Sequence, residues 1–424
     1  MNDPTRTVGL DFGTHQTKIC VEEKEENAVS YRFFPFCNLL GEQRFTLPSV
    51  IQIRPDGTLR YGYAEHVEGE ELVKNFKQAV FALDADLNAE DCNTCYAVWY
   101  LAYVLFLMEE KWGQEFAVQM GCPTDGEHRD QQQHKAVSLL LSAYKLVEEE
   151  FHNDLQAFLN TDWMALMERT VLVPFSDEAK ENLFIKVYPE AYACLRPLVV
   201  QQKVPYGLAL LIDIGGGTTD ISFFTVVGNN QEGRNLEVYD YQSVPKGLNA
   251  LVDSWRIPKS QRDANIREIH LREEKVGGLT NDIANKCRLL RGKLLKLFSE
   301  QCGILETQRL TRQLADRPLI YIGGGSTFGT LRKAYDGFNQ ISAMDASAWR
   351  AANVEGMDEI ERQNLCPILS TAYGLCLTDI NDDDKFQCTP LKHLFDNLVS
   401  MIRQGGTGGD TLSDNTYSDW SALK

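Results

Sequence analysis

Two short segments of the chain join an acid to glycines and a hydroxyl: Asp11-Phe-Gly-Thr14 and Asp213-Ile-Gly-Gly-Gly-Thr218. In each, the acid closes an apolar, β-branched run, and the glycines let backbone N–H groups come close to a ligand. A nest of N–H donors suits phosphate oxygens, yet a carboxylate beside it repels them unless a cation stands between. The combination predicts phosphate together with Mg²⁺. A third glycine run, Gly323-Gly-Gly-Ser-Thr327, offers backbone against which a flat base or a ribose can lie. Neither a Walker loop nor a dinucleotide fingerprint fits, because no GK[ST] follows a glycine loop and Phe328 stands where the fingerprint counted from Gly323 needs glycine.

The elements that must hold these loops can be read from the flanking patterns. Residues 7–12 form a strand that breaks at Gly13-Thr14 and resumes at 17–21; the same device returns as 208–214, a break at 215–219, and 221–227. Its recurrence about two hundred residues apart suggests two related halves. Between them, strands are predicted at 49–53 and 116–120 and helices at 70–83, 96–112 and 130–158. After the second device come a loop at 228–234, a strand at 236–242, a largely helical stretch from 248 to about 313, and a strand at 318–322 leading into the third glycine run. Helical residues 331–335 follow, and 367–378 is the last expected core element. Strands alternating with long helices argue an α/β architecture in both halves.

Composition narrows the function classes. The chain has 424 residues, 43% of them apolar, enough for two or three domains with their own cores. The net charge of −18 is the wrong sign for a nucleic-acid or anionic membrane surface. No basic n-region precedes the first strand, and the uncharged run 97–108 is short of the ~20 residues of a bilayer span, so no export signal, no membrane span and a cytoplasmic location are expected. The 11 cysteines are irregularly spaced, as reduced thiols of a cytosolic protein would be. Cys92-Asn-Thr-Cys95 is the one CxxC; without a second pair it reads as small apolar side chains at a helix start.

The three glycine loops, in this order and spacing, resemble the first phosphate loop, second phosphate loop and adenosine loop of the actin-like ATPase superfamily. Within it the chain is most similar to the nucleotide-binding domain of the 70-kDa heat-shock (DnaK-like) family, over roughly residues 7–378. The resemblance is carried by Val8-Gly-Leu-Asp-Phe-Gly-Thr14, Leu47-Pro-Ser-Val-Ile51, Asp56-Gly57 with Tyr61-Gly-Tyr-Ala64, Thr371-Ala-Tyr-Gly374 and, most specifically, Ile212-Asp-Ile-Gly-Gly-Gly-Thr-Thr-Asp220. It implies two related ribonuclease-H-like lobes around a central nucleotide cleft: lobe I over 1–205, lobe II over 206–365 and a crossing helix at 366–380 returning to lobe I. Beyond it, Leu391, Leu394, Phe395, Leu398 and Ile402 at helical spacing and a Gly-, Ser-, Thr- and Asp-rich end predict an amphipathic helix with a flexible tail over 381–424.

The resemblance also implies site roles. Asp11 and Asp213 would hold Mg²⁺ through its waters, and Gly13, Thr14, Gly215, Gly216, Gly217 and Thr218 would cradle the phosphates of ATP. Lys77 would reach the γ-phosphate and the attacking water, with Glu190 and Asp220 orienting that water; in this chain a proline precedes the glutamate rather than following it. Gly324, Gly325 and Ser326 would face the nucleoside. Phe328 stands where the family keeps an arginine against the base, and Arg288 or Arg291 would substitute. The segment between Gly247 and Leu319 is much shorter than in the chaperones, and about fifty residues follow the crossing helix, with no peptide-clamping domain among them. The implied function is a slow ATPase, ATP and water to ADP and phosphate, acting as a nucleotide-driven switch with a protein partner or client. Two alternatives stand beside it: an actin-like filament-forming ATPase, which self-associates, and a module that binds ATP without turnover.

Overall fold

The computed structural model describes residues 5–25, 28–37, 43–63, 65, 67–123, 128–200, 207–229, 233–244, 246–248, 277–302, 304–305, 307–308, 311, 318–327, 331, 339–341 and 359–378. In chain order, the first half contributes strands β1 (Arg6–Phe12), β2 (Gln16–Glu25) and β3 (Ala28–Phe33). The short pieces β4 (Phe36–Cys37), β5 (Gln43–Arg44), β6 (Leu47–Pro48), β7 (Ile51–Ile53), β8 (Leu59–Tyr61) and β9 (Glu71–Val73) come next. Helices α1 (Phe76–Val80) and α2 (Cys92–Trp112) lead to β10 (Ala117–Cys122), then α3 (Arg129–Lys145), α4 (Leu155–Leu159), α5 (Trp163–Arg169), α6 (Asp177–Asn182), β11 (Ile185–Pro189) and α7 (Glu190–Val200). The second half contributes β12 (Gly207–Ile214), β13 (Thr219–Asn229), β14 (Gly233–Val244), α8 (Gly277–Cys302), β15 (Pro318–Ile322), β16 (Asn339–Ile341) and α9 (Glu359–Cys376).

Two main sheets share one plan. The first runs β11-β10-β1-β2-β3 and the second β16-β15-β12-β13-β14. In each, a central hairpin is antiparallel and continues into a third antiparallel strand, while on the other side the hairpin's first strand pairs in parallel with a fourth, which pairs in parallel with a fifth. Matching order and matching strand sense are what two related lobes require. The fold is therefore α/β, with the two ribonuclease-H-like units of the actin-like architecture.

One core fills the first lobe under α2 and α3. A second joins residues of both sheets through α7 and α9, with Cys20, Tyr31 and Phe33 of the first sheet and Leu211, Phe224 and Ile320 of the second in the same cluster. Two helices thus span the lobes, where the sequence suggested one. They cross closely because Gly374 lacks a side chain: a Cβ there would lie 1.8 Å from the Ala193 carbonyl oxygen. At Gly9 of β1 the same economy lets α9 lie on the strand, since a Cβ would meet the Ala372 carbonyl oxygen at 2.2 Å. Arg196 of α7, 1% exposed, donates to the Gly374 and Leu377 carbonyls, both at 2.7 Å, and so satisfies acceptors at the C-terminal end of α9.

Several expected boundaries shift for identifiable reasons. Residues 70–83 are not one helix: Glu71–Val73 pairs with β7, and Asn75, at φ 61°, starts the five-residue α1 afresh. The helix expected at 130–158 ends as α at Lys145, continues as a π turn over Leu146–Glu150, and stops where His152 and Asn153 take positive φ. Asp154 then caps α4 by accepting from the Ala157 N–H. The loop at 228–234 shrinks, because the β13–β14 ladder runs to Asn229 opposite Gly233. The last core helix starts at Glu359 and runs through Pro367. Residues 249–276 and 379–424, and with them the expected amphipathic helix and tail, lie outside the described residues, as do Ala64, Phe328 and residues 332–335.

Helix α2 is apolar around most of its circumference and buried, capped by Asp91 and ended by Gly113 at φ 76°. Among the described residues no helix is long and apolar enough to cross a membrane. Near the end of α2, burial and then the facing Glu148 raise the Glu109 carboxyl to about 7. The folded chain therefore holds a proton that the unfolded chain gives up near pH 4.5, so stability falls as pH rises from about 4.5 to about 7 and stays lowered above it. Glu109→Gln is expected to raise stability at pH 8 by about 1 kcal/mol, well below full linkage because the carboxyl is half open to solvent, and to change little at pH 4. Urea titrations at the two pH values check this; an equal gain at both would point to a cause other than the proton.

Candidate functional site

The first hairpin is built to expose its turn. Val8, Leu10 and Phe12 of β1 are fully buried, and the strand ends at Gly13, whose N–H donates to the Asp11 carbonyl at 3.1 Å. A Cβ on Gly13 would lie 2.4 Å from the Gln16 carbonyl oxygen, so the turn requires glycine. Ser49 fastens it, its Oγ donating to the Gly13 carbonyl at 2.7 Å. Ser49 is positioned in turn by α2, through the Tyr100 hydroxyl donating to the Pro48 carbonyl at 3.0 Å. Across the hairpin Asp11 stands opposite Lys18, and the Lys18 Nζ donates to Asp11 Oδ2 at 2.9 Å.

The second hairpin repeats the form with different charges. Asp213 stands opposite Asp220, and the Gly215 N–H donates to the Thr218 carbonyl at 2.9 Å to close the turn. Gly247 lies beneath it, since a Cβ there would be 2.4 Å from the Gly215 carbonyl oxygen, and the Leu248 N–H donates to that same oxygen at 3.0 Å. The two turns approach each other at Gly217, where a Cβ would stand 3.2 Å from both Thr14 Cγ2 and Gln78 Oε1.

Lys77 and Glu190 complete the floor. Lys77, 4% exposed on α1, donates to Glu190 Oε1 at 2.5 Å and lies 5.8 Å from the centre of the Phe12 ring. Glu190 is the first residue of α7, and a Cβ on Gly121 of β10 would meet its Cγ at 3.0 Å. Burial alone would lower the Lys77 pKa, but the charges of Glu190 and Asp11 outweigh it and hold the ammonium above its ordinary value. A helix-face lysine that sequence alone would leave in solvent is here a buried partner of a carboxylate.

These groups line one cleft of about 1080 Å³, open space at its mouth included. Of the residues named from the sequence, Asp11, Gly13, Thr14, Lys77, Glu190, Asp213, Gly215, Gly216, Gly217, Thr218, Asp220 and Gly324 line it. Three do not. Gly325 is a packing glycine whose Cβ would lie 2.1 Å from Ile214 Cγ2. Ser326 is buried and donates to the Gly323 carbonyl at 2.8 Å. Arg288 lies on α8, where it donates to Asn285 Oδ1 at 3.1 Å.

The cleft also gathers Gly323 of the third glycine run and residues to which the sequence gave no site role: His15, Gln16, Lys18, Leu248 and, from α9, Pro367, Ile368 and Thr371. Lys18 had a readable signal, because a hairpin turning at 14–15 places residue 18 opposite 11. The α9 residues had none, since only the fold brings that helix to the loops. Pro367 ties them together by accepting from the Gly323 N–H at 3.1 Å.

The electrostatics call for a cation. Four acids, Asp11, Glu190, Asp213 and Asp220, face two ammonium groups, Lys18 and Lys77. His15 adds no charge near neutrality, because burial and then Lys18 and Lys74 lower it to about 4. Asp213 is raised to about 8 by burial and by Asp220, Glu190 and Asp11. Among the described residues no three His, Cys, Asp or Glu side chains come together as a metal cage. The carboxylates of Asp11 and Asp213 beside the bare turns fit an ion that brings most of its coordination with it, as Mg²⁺ does when it keeps water and phosphate ligands. The bare Cα faces of the turns fit phosphate oxygens in the same way.

Gly323 has a separate structural load. It sits at φ 78°, and a Cβ there would lie 2.3 Å from Asp213 Oδ1 and 2.5 Å from the Ile214 carbonyl oxygen. Gly323→Ala is expected to cost about 2 kcal/mol in backbone strain and to push the Asp213 carboxylate aside. Thermal unfolding together with divalent-cation titration checks both effects; a variant with wild-type values for each would show that the loop relaxes freely.

No known family model matches the chain, and no curated protein matches it. Among solved structures it is similar to MreB 5 of Spiroplasma citri bound to AMPPNP, at 11% identity and a TM-score of 0.43, over 96% of this chain and 100% of that one. At that identity and score the match carries no weight of its own, and the architecture stands on the sheet order and strand senses.

Proposed function

We propose that the cleft binds ATP with Mg²⁺ and hydrolyses it slowly, as an actin-like ATPase. The observation that carries the reading is the meeting of two glycine turns at Gly217 and Thr14, above a buried Lys77–Glu190 pair. Phosphoryl transfer to water asks little covalent help of a protein; it asks for an in-line water, cations on the transferred group and a closed site.

Each residue then has a task. The N–H groups of Thr14, Gly216, Gly217 and Thr218 receive phosphate oxygens, while Gly13 and Gly215, whose N–H groups close their turns, leave open backbone beside the phosphates, and Lys18 adds an ammonium that its pairing with Asp11 keeps at the turn. Asp11 and Asp213 would hold the water shell of Mg²⁺, which supplies charge neutralisation to the phosphates when bound. Lys77 brings positive charge to the transferred phosphate, while Glu190 and Asp220 accept hydrogen bonds from the attacking water and orient it. Gly323 and Gly324 present backbone to the nucleoside. Lobe I, lobe II and the helices between them would close on the ligand, in keeping with the boundaries near 205 and 365.

The heat-shock-type switch and the actin-like filament both use this chemistry, and the geometry supports what they share. The motif at Ile212–Asp220 supports the first; the second rests on the same lobes joined by α7 and α9. Phosphate release and light scattering followed in one sample on addition of Mg-ATP separate them. Slow release with flat scattering supports a switch acting with a protein partner. A scattering rise that decays as ATP is consumed supports a polymer of this chain. No ATP binding by calorimetry in the presence of Mg²⁺ removes both, and binding without release leaves a module that holds ATP.

A further inference from the structure

The two cysteines at the head of α2 take no part in the cleft. Cys92 and Cys95 are its first and fourth residues, so their side chains lie one turn apart on the same side of the helix. Their surroundings differ sharply. Cys92 is exposed, whereas Cys95 is fully buried and its Sγ donates to the Ala89 carbonyl at 3.1 Å. Burial, then the neighbouring Cys92 and Asp91, push the Cys95 thiol up to about 11. One sulfur is open to reagents, and the other keeps its proton within reach of the first.

That division of labour is the one thiol–disulfide exchange needs. The attacking sulfur must be accessible, and the resolving sulfur must stay out of reach of outside reagents until a mixed disulfide forms beside it. We infer that Cys92 and Cys95 form a dithiol–disulfide centre that exchanges electrons with a disulfide-bearing partner, Cys92 attacking and Cys95 resolving. The proposal is independent of the nucleotide reading.

The steps balance without another reagent. The Cys92 thiolate attacks one sulfur of the partner disulfide; that S–S bond breaks, a bond from Cys92 to the partner forms, and one partner thiolate leaves. Cys95 then gives its proton to solvent, and its sulfur attacks the Cys92 sulfur. The mixed bond breaks, the second partner thiolate leaves, and both released thiolates take up protons. The dithiol loses two electrons and the partner disulfide gains them.

The geometry leaves room for the closure. Side chains one turn apart on a helix have Cβ atoms about 5–6 Å apart, and a disulfide needs about 3.5–4.5 Å. The movement falls on the first turn, where Cys92 and Asn93 precede the first amide of the helical ladder, Cys95 N–H to the Asp91 carbonyl at 3.1 Å. Closure also takes the Cys95 sulfur off Ala89, so the segment between α1 and α2 loses one tie to the helix.

Incubation of the full chain in glutathione buffers of rising disulfide fraction, followed by acid quenching, alkylation and peptide mass analysis, tests the inference. In the wild type, the peptide holding Cys92 and Cys95 is expected to lose both alkylation sites and become lighter by two hydrogens. Cys37, exposed and with no other cysteine among residues 33–41, serves as the internal control and should keep a glutathione adduct instead. Cys95→Ser, which retains a donor for Ala89, should hold glutathione on Cys92 at about ten times the wild-type level. Cys92→Ser, at an exposed position, should abolish oxidation of Cys95. The inference is overturned by a peptide that stays reduced at every ratio, by wild-type Cys92 carrying as much glutathione as in Cys95→Ser, or by Cys95 oxidising equally well without Cys92.

Discussion

Replacing Lys77 with methionine is expected to slow phosphate release by about a hundredfold or more, the loss seen when one preorganised charge or donor is taken from a developing anion. The substitution also strands Glu190, whose side chain is 20% exposed, so part of the effect would be structural. Lys77→Met/Glu190→Gln separates the two contributions. The double variant removes the stranded charge and is expected to recover most of the lost thermal stability while remaining inactive. Phosphate release restored along with stability would mean that Lys77 serves the fold and not the chemistry, and unchanged release in the single variant would sink the assignment outright.

Gly374→Ala, remote from the loops, is expected to have the largest effect on stability. Its Cβ would enter the Ala193 carbonyl at 1.8 Å, and the obstacle is backbone rather than a side chain that can rotate away. The helices must separate, at a cost of about 3 kcal/mol. Because α7 begins at Glu190 and α9 carries Pro367, Ile368 and Thr371 into the cleft, the separation reaches the site. Nucleotide affinity should fall together with the denaturation midpoint. Full affinity at a lowered midpoint would show that the crossing supports the core alone, and an unchanged midpoint would show that the helices part without cost.

The hairpins were legible in the sequence because their information is local. An acid, glycines and a hydroxyl between two apolar runs specify strand, turn and strand, and their recurrence announces two lobes. The third loop was legible as a turn, but its inner members were misplaced: Gly325 is needed for packing on Ile214 and Ser326 for closing its own loop, and neither role has a signature distinct from ligand contact. Lys77 could be singled out only through a resemblance, because its burial depends on Glu190, 113 residues away. The strands and helices around Ile185–Val200 were missed altogether apart from Glu190. A five-residue strand passing directly into a helix, with Pro189 at the junction, leaves no loop to mark where one period ends and the other begins.

The repeated sheets agree in shape but not in polarity. In the first hairpin the residue facing the acid is a lysine, and the pair largely cancels; in the second an acid faces an acid, and neither strand carries a lysine or arginine. The cleft therefore has a near-neutral side at the Lys18–Asp11 pair and an acid-rich wall at Asp213 and Asp220. A guest that carries its own separated charges enters such a space one way round. What duplication made interchangeable in backbone, two side chains have made directional.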